Sequence, residues 1–187
     1  MFLNRLLGSA RPRTLSLVWP VLIVSGLAAA CSSAPELLNS ERIELRYGNY
    51  RVRVLHSDQW QRVTSLYSVG TEGEVCRTFA IVDFVVPLDS RLAVEHSSIL
   101  AGASIGQVFR QAGWQTEKYT LSIRETRAGD DSVQIPELMH LDPAETLARH
   151  RYRFEVTQGE LRIPYAIITE IHHPDYLTVQ QLHQIYD

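Results

Sequence analysis

The stretch from Gly159 to Pro174, GELRIPYAIITEIHHP, gathers the residue types of proton and metal chemistry at the end of an apolar run. Glu170 and His172 are two apart, so on a strand they share a face, while His173 points to the other side. A carboxylate beside an imidazole can act as an acid–base pair or supply two ligands to a metal. A zinc site takes three or four protein ligands, and His96, His140, His150 and His183 stand at no spacing that completes a set. No metal is therefore expected, and the paired histidines are read as capping and packing the strand end.

Arg149, Arg151 and Arg153 alternate along one strand and project together. Their planar forks suit a carboxylate or phosphate, which makes all three ligand-binding candidates. Counting back across the Gln158–Gly159 turn puts Ala166, Ile168 and Glu170 on the same face, with Tyr152, Phe154, Tyr165 and Ile167 turned to the core. The plainer alternative is a solvated sheet face. Ser104 lies in AGASIGQ (Ala101–Gln107) and joins the candidates, because the glycines there let backbone approach a ligand or let a helix lie close on the sheet. The polar segment RETRAGDDSVQIPEL (Arg124–Leu138) either covers such a pocket or merely connects. No nucleotide, dinucleotide or hydrolase fingerprint occurs, so no cofactor is expected.

These residues need elements to hold them, and a repeat supplies the plan. GEVCRTFAIVDFVVP (Gly73–Pro87) matches the opening stretch as Gly-Glu-aliphatic, then aromatic-Ala-Ile, then an apolar strand ending at proline. Each copy follows two earlier strands, YRVRVL and RVTSLYSV in the first half, YTLSIRE and RHRYRFEV in the second. Each is followed by a helical stretch, after Pro87 and after Pro174. Alternation in the strands and a 3.6-residue apolar pattern in the helices predict an internally duplicated α+β domain. It should have an antiparallel sheet of about six strands with helices on one face.

The stretches ASIGQVFRQAGWQTEKYTLSIRE (Ala103–Glu125) and LDPAETLARHRYRFEVTQGELRIPYAIITEIHHPDYL (Leu141–Leu177) resemble the chorismate lyase-like superfamily, which includes chorismate lyase and the effector-binding domains of GntR-type regulators. The resemblance implies a duplicated sheet that holds a small ligand. It also implies a functional arginine in the strand before the turn, matched by Arg153 or Arg151, and a glutamate in a late strand, matched by Glu170. Glu170 and Arg153 are thereby the catalytic candidates.

The N-terminus bears on location. Arg5, Arg11 and Arg13 precede an apolar run, LSLVWPVLIVSGLAAA, that is shorter than the ~20 residues of a spanning helix and ends in small residues before Cys31. That order describes a secretory signal, and LAAACSS resembles the lipobox of bacterial lipoproteins, with Leu27 four rather than three before the cysteine. The resemblance implies a leader over residues 1–30, an acylated Cys31, a tether over 31–41 and a domain over 42–187. It also implies anchoring in the lipid bilayer at the periplasmic face of the outer membrane, since Ser32 follows the cysteine. The formal charge is −3, and without the three leader arginines it falls to −6, which argues against a nucleic-acid partner. With Cys31 acylated, Cys76 has no thiol partner and is read as a core residue.

The first expectation is a membrane-anchored envelope lipoprotein, accessory rather than catalytic, whose domain binds a small anionic or aromatic molecule or an envelope protein partner. A lyase of chorismate-lyase type using an Arg/Glu pair is the alternative from a different class. A structural envelope protein without a ligand is the third.

Overall fold

The computed structural model describes residues 37–71 and 73–187. The leader, Cys31 and the tether as far as residue 36 lie outside the described residues. Among those described, no helix is long and apolar enough to cross a membrane.

Helix α1 (Asn39–Tyr47) opens the domain. Strands β1 (Arg51–Ser57), β2 (Gln61–Gly70) and β3 (Gly73–Phe84) follow. A 3-10 turn at Ser90–Leu92 leads into α2 (Ala93–Leu100) and α3 (Ile105–Gln111). The second half runs through β4 (Gln115–Arg127), α4 (Ala128–Asp131), α5 (Ile135–Met139), β5 (Thr146–Gln158), β6 (Leu161–His172) and α6 (Val179–Tyr186). The six strands form one antiparallel sheet in the order β1-β2-β3-β6-β5-β4. Two three-stranded meanders thus meet where β3 pairs with β6.

Local chemistry sets the ends of the helices. Glu41 Oε2 accepts from the Leu38 N–H at 2.7 Å at the start of α1, and Gly48, at φ 77°, ends it with its N–H on the Glu44 carbonyl. Both contacts satisfy groups that a helix end leaves open. Thr178 and Gln181 form a reciprocal capping box at the start of α6. The single long helix expected after Pro87 is instead broken at Ala101–Ser104. Gly102 adopts φ 112° there, a conformation that a side chain resists, and the chain turns before α3.

Alternate sheet residues face two different cores. On one face Val82, Phe84, Tyr152, Phe154, Ala166 and Ile168 pack under Leu92, Ile99 and Phe109 from α2, α3 and the turn before them. Ile43 of α1 and Leu182 of α6 continue that layer over Ala148 and Leu66. On the opposite face Ala128, Ile135 and Met139 of α4 and α5 cover Cys76, Phe79, Leu147 and Ile171. Helices therefore lie on both faces, which corrects the one-face expectation. The segment Arg124–Leu138 belongs to this second layer, and its end, Glu137 and Leu138, borders a hollow lined also by Arg53, Tyr67, Glu74 and Cys76. The domain also starts earlier than expected, because Leu38, Asn39 and Ser40 are buried parts of it rather than tether.

Candidate functional site

A cavity of about 90 Å³ lies between the first sheet face and the helices, roughly three times a water molecule's share of the liquid. Its floor is Thr64, Ala80, Val82, Tyr152, Phe154 and Ile168; Leu38, Asn39 and Ser40 before and within α1 and Ser104, Ile105 and Gly106 before and within α3 close it. Tyr50, Arg62, Lys118 and Glu170 bring polar chemistry to these apolar walls. The roof fits tightly because Gly106 has no side chain. A Cβ there would stand 2.5 Å from Leu38 Cδ2.

Arg62 enters from β2 and is 2% exposed. Its terminal nitrogens donate to the carbonyls of Ala103 (2.9 Å) and Gly102 (3.1 Å), so the break between α2 and α3 positions the guanidinium. The buried Nε has no hydrogen-bond partner, and no carboxylate lies within ion-pairing distance among the described residues. Burial lowers the Arg62 pKa. It raises that of the neighbouring Tyr50 hydroxyl, with Arg62 and a hydrogen bond from Ser104 opposing the rise.

Glu170, 5% exposed, enters from β6. Its Oε1 accepts from Asn39 Nδ2 at 3.2 Å. The same amide reaches Thr78 Oγ1 at 3.1 Å, and Thr78 contacts His172 Nδ1 at 3.0 Å. Tyr176 Oη donates to Asn39 Oδ1 and completes the cluster. Glu170 Oε2 has no hydrogen-bond partner, and His172 Nε2 stands 3.8 Å from it. Burial pushes the His172 imidazole down to about 3, helped by the Lys118 and Arg42 cations, and takes His150 to about 4 against the opposing pull of Glu170. Glu170 therefore sits beside neutral imidazoles. Lys118 donates to Tyr186 Oη at 3.2 Å and lies over the Tyr152 and Tyr186 rings.

Two sequence candidates, Glu170 and Ser104, line this cavity. The three arginines lie on the opposite sheet face. Arg149 pairs with Asp131 at 3.2 Å, Arg153 with Glu155 at 2.6 Å, and Arg151 is exposed. The cause is a bulge in β6. From the turn the register runs Gln158↔Leu161 to Glu155↔Pro164, then jumps to Phe154↔Ala166 and skips Tyr165. One extra residue reverses which side chains share a face, so His150 rather than Arg149 stands opposite Glu170. The shared Arg–Glu floor is thereby corrected. Ile167 moves to the far side with the arginines, while Tyr165 packs with Phe84 and Phe109.

Glu170 and His172 do share a face, and His173 leaves it. The His173 backbone N–H bonds to the Arg77 carbonyl, and its ring accepts from the Asp175 N–H. Cys76 is buried, and burial pushes its thiol up to about 11. Asn39, Tyr50, Arg62 and Lys118 escaped sequence reasoning. Two signals were available: Arg62 alternates with Thr64 and Leu66, an inward phase for a charge, and Lys118 is the single lysine of the chain.

No family model matches the chain, and no curated protein matches it. Among solved structures, the C-terminal domain of Yurk from Bacillus subtilis subsp. subtilis str. 168 is similar at 12% identity and a TM-score of 0.38, over 70% of this chain and 89% of that one. A likeness this distant carries no argument, and the α+β assignment rests on the strand order itself.

Proposed function

We propose that this chain is an envelope lipoprotein, anchored through an acylated Cys31, whose domain binds a small molecule between its sheet and α1. The observation that carries the binding part is the cavity itself. Arg62 and Glu170 are both buried there, and each keeps an atom without a hydrogen-bond partner. Buried charges are costly unless paired, and a bound ligand would supply the missing partners. The lyase alternative needs Arg151 or Arg153 beside Glu170, and those arginines lie across the sheet. A volume of about 90 Å³ is also well under the 300–1,000 Å³ of sites for drug-sized ligands. Binding is therefore preferred to turnover.

The chorismate lyase-like, duplicated architecture is part of the same reading. It is supported by the two meanders and by a coincidence of spacing. Phe79 and Tyr165, equivalent in the sequence repeat, are as far apart in the chain as Val82 and Ile168, which pair across β3 and β6. A twofold axis through that pair would exchange the halves. The anchor rests on the lipobox resemblance alone.

Binding is tested by calorimetry on the protein in lipid nanodiscs, using small carboxylates and amines as probes. Saturable heat is expected that Arg62→Gln abolishes for the carboxylates and Glu170→Gln for the amines, and heat unchanged by both variants would sink the reading. Fatty-acid labelling that persists in Cys31→Ala would remove the anchor.

A further inference from the structure

The geometry points to a ligand class for this cavity: a short zwitterion, its carboxylate against Arg62 and its ammonium against Glu170. The inference rests on the binding reading above and narrows it. Three buried side-chain atoms without hydrogen-bond partners, Ser40 Oγ, Arg62 Nε and Glu170 Oε2, belong to residues that line this one cavity. Native proteins leave few such atoms, and each calls for an explanation. Here they fall into a pattern, because Arg62 Nε lacks an acceptor, Glu170 Oε2 lacks a donor, and the Ser40 hydroxyl can serve as either.

Charge sharpens the pattern. Among the described residues Arg62 has no carboxylate within ion-pairing distance. Glu170 has within that distance only His172, which burial keeps neutral. Lys118 is already engaged with Tyr186 and with two aromatic rings. Beside Lys118, which is held by its phenol and ring partners, the cavity thus presents a cation, Arg62, and an anion, Glu170, neither with a charged partner within ion-pairing distance. A simple anion answers Arg62 and leaves Glu170 unmatched, and a simple amine does the reverse. A molecule with both charges answers each, and a hydroxy acid answers Glu170 with a hydrogen bond only.

The sheet sets the span. Arg62 pairs with Val82 on β3, and Glu170 with Ala80 on the same strand. The two charged residues are therefore two strands and two residues apart, a diagonal of roughly 11–12 Å between Cα atoms at ordinary sheet spacings. Ala80, small and buried, lies beneath the space between them. The Ala103 and Gly102 carbonyls hold the Arg62 guanidinium, and the small volume limits a molecule between the two charges to a few methylenes.

The test is calorimetry on the intact protein in nanodiscs with a matched panel. Glycine, β-alanine and 4-aminobutyrate are the zwitterions. Propionate with ethylamine, and butyrate with propylamine, supply the half-molecules of the last two; lactate is the hydroxy acid. One zwitterion should bind at least about tenfold more tightly than either of its halves and than lactate, as expected for a hydrogen bond between charged partners. Glu170→Gln should abolish that preference and leave the carboxylate probe within about twofold. The wild-type panel decides alone if the variant does not fold. Carboxylates or lactate binding as well as any zwitterion would overturn the zwitterion and leave the cavity a binding site. No binding by any probe would overturn both.

Discussion

Asn39 Nδ2 donates to Glu170 Oε1 across 3.2 Å and ties the first helix of the domain to its last strand. The same side chain bonds Thr78 and Tyr176, so a single amide joins α1, β3, β6 and the segment after β6. On the α1 side of the cavity one side chain therefore reaches three other parts of the fold.

Replacing Asn39 by alanine should leave Glu170, Thr78 and Tyr176 short of partners in a buried setting. A loss of about 1–3 kcal/mol is expected for buried groups left unsatisfied, measured by urea unfolding. Amide exchange should accelerate in α1 before the rest of the domain. Uniform acceleration would mean that α1 is not the element Asn39 holds.

Gly106→Ala places a methyl where Leu38 now sits, and overpacking of this kind costs about 1–3 kcal/mol. Leu38→Ala alone removes buried apolar surface. The double variant should be more stable than the two single losses predict, because the second change makes room for the first. Additive losses in the cycle would show that the two residues do not compete for the same space.

Stability should fall in mild acid. Folded His172 and His150 titrate at about 3 and about 4, against about 6.5 in an unfolded chain. Between these values the unfolded chain binds more protons, so stability rises with pH. The contribution is complete above about 6.5 and is lost as pH falls through 4 and then 3. Urea midpoints between pH 7 and 4 should depend less steeply on pH in His150→Gln/His172→Gln. A slope equal to that of the wild type would clear these imidazoles. His96 and His173, also lowered by burial, should leave a residual slope.

Cys76 should be inert while the domain is folded, since burial keeps its thiol protonated and out of reach. In a Cys31→Ser chain at pH 8, a disulfide reagent should label it only after denaturant is added. Stoichiometric labelling without denaturant would refute the placement.

Much of the fold was legible because strand alternation and turn residues are local signals. RVTSLYSV and RHRYRFEV became β2 and β5, and the two Gly-Glu segments mark their hairpins. The faces were less legible. Alternation tells which residues travel together, but a bulge at Tyr165 changes which neighbours they meet, and its one local signal is Pro164, which cannot donate to the ladder of a central strand. The same limit hid the Arg62–Glu170 relationship, which depends on two strand pairings rather than on one stretch of chain. Glu170 was found because it stands in an otherwise apolar strand. Asn39 was missed because NSERIELRY, polar enough for a tether, owes its place to contacts made elsewhere in the fold.

The skipped residue in β6 acts like a frameshift. Up to Tyr165 the odd-numbered side chains look toward α2 and α3, and from Ala166 onward the even-numbered ones face the α1–α3 side. A gap-free alignment of this strand with a relative that lacks the bulge would exchange the two faces of the sheet in half of its length. Glu170 would then be matched with a position on the α4–α5 side, where Thr169 and Ile171 are buried. Comparisons across this fold should therefore align β6 as two short segments with a free joint between them.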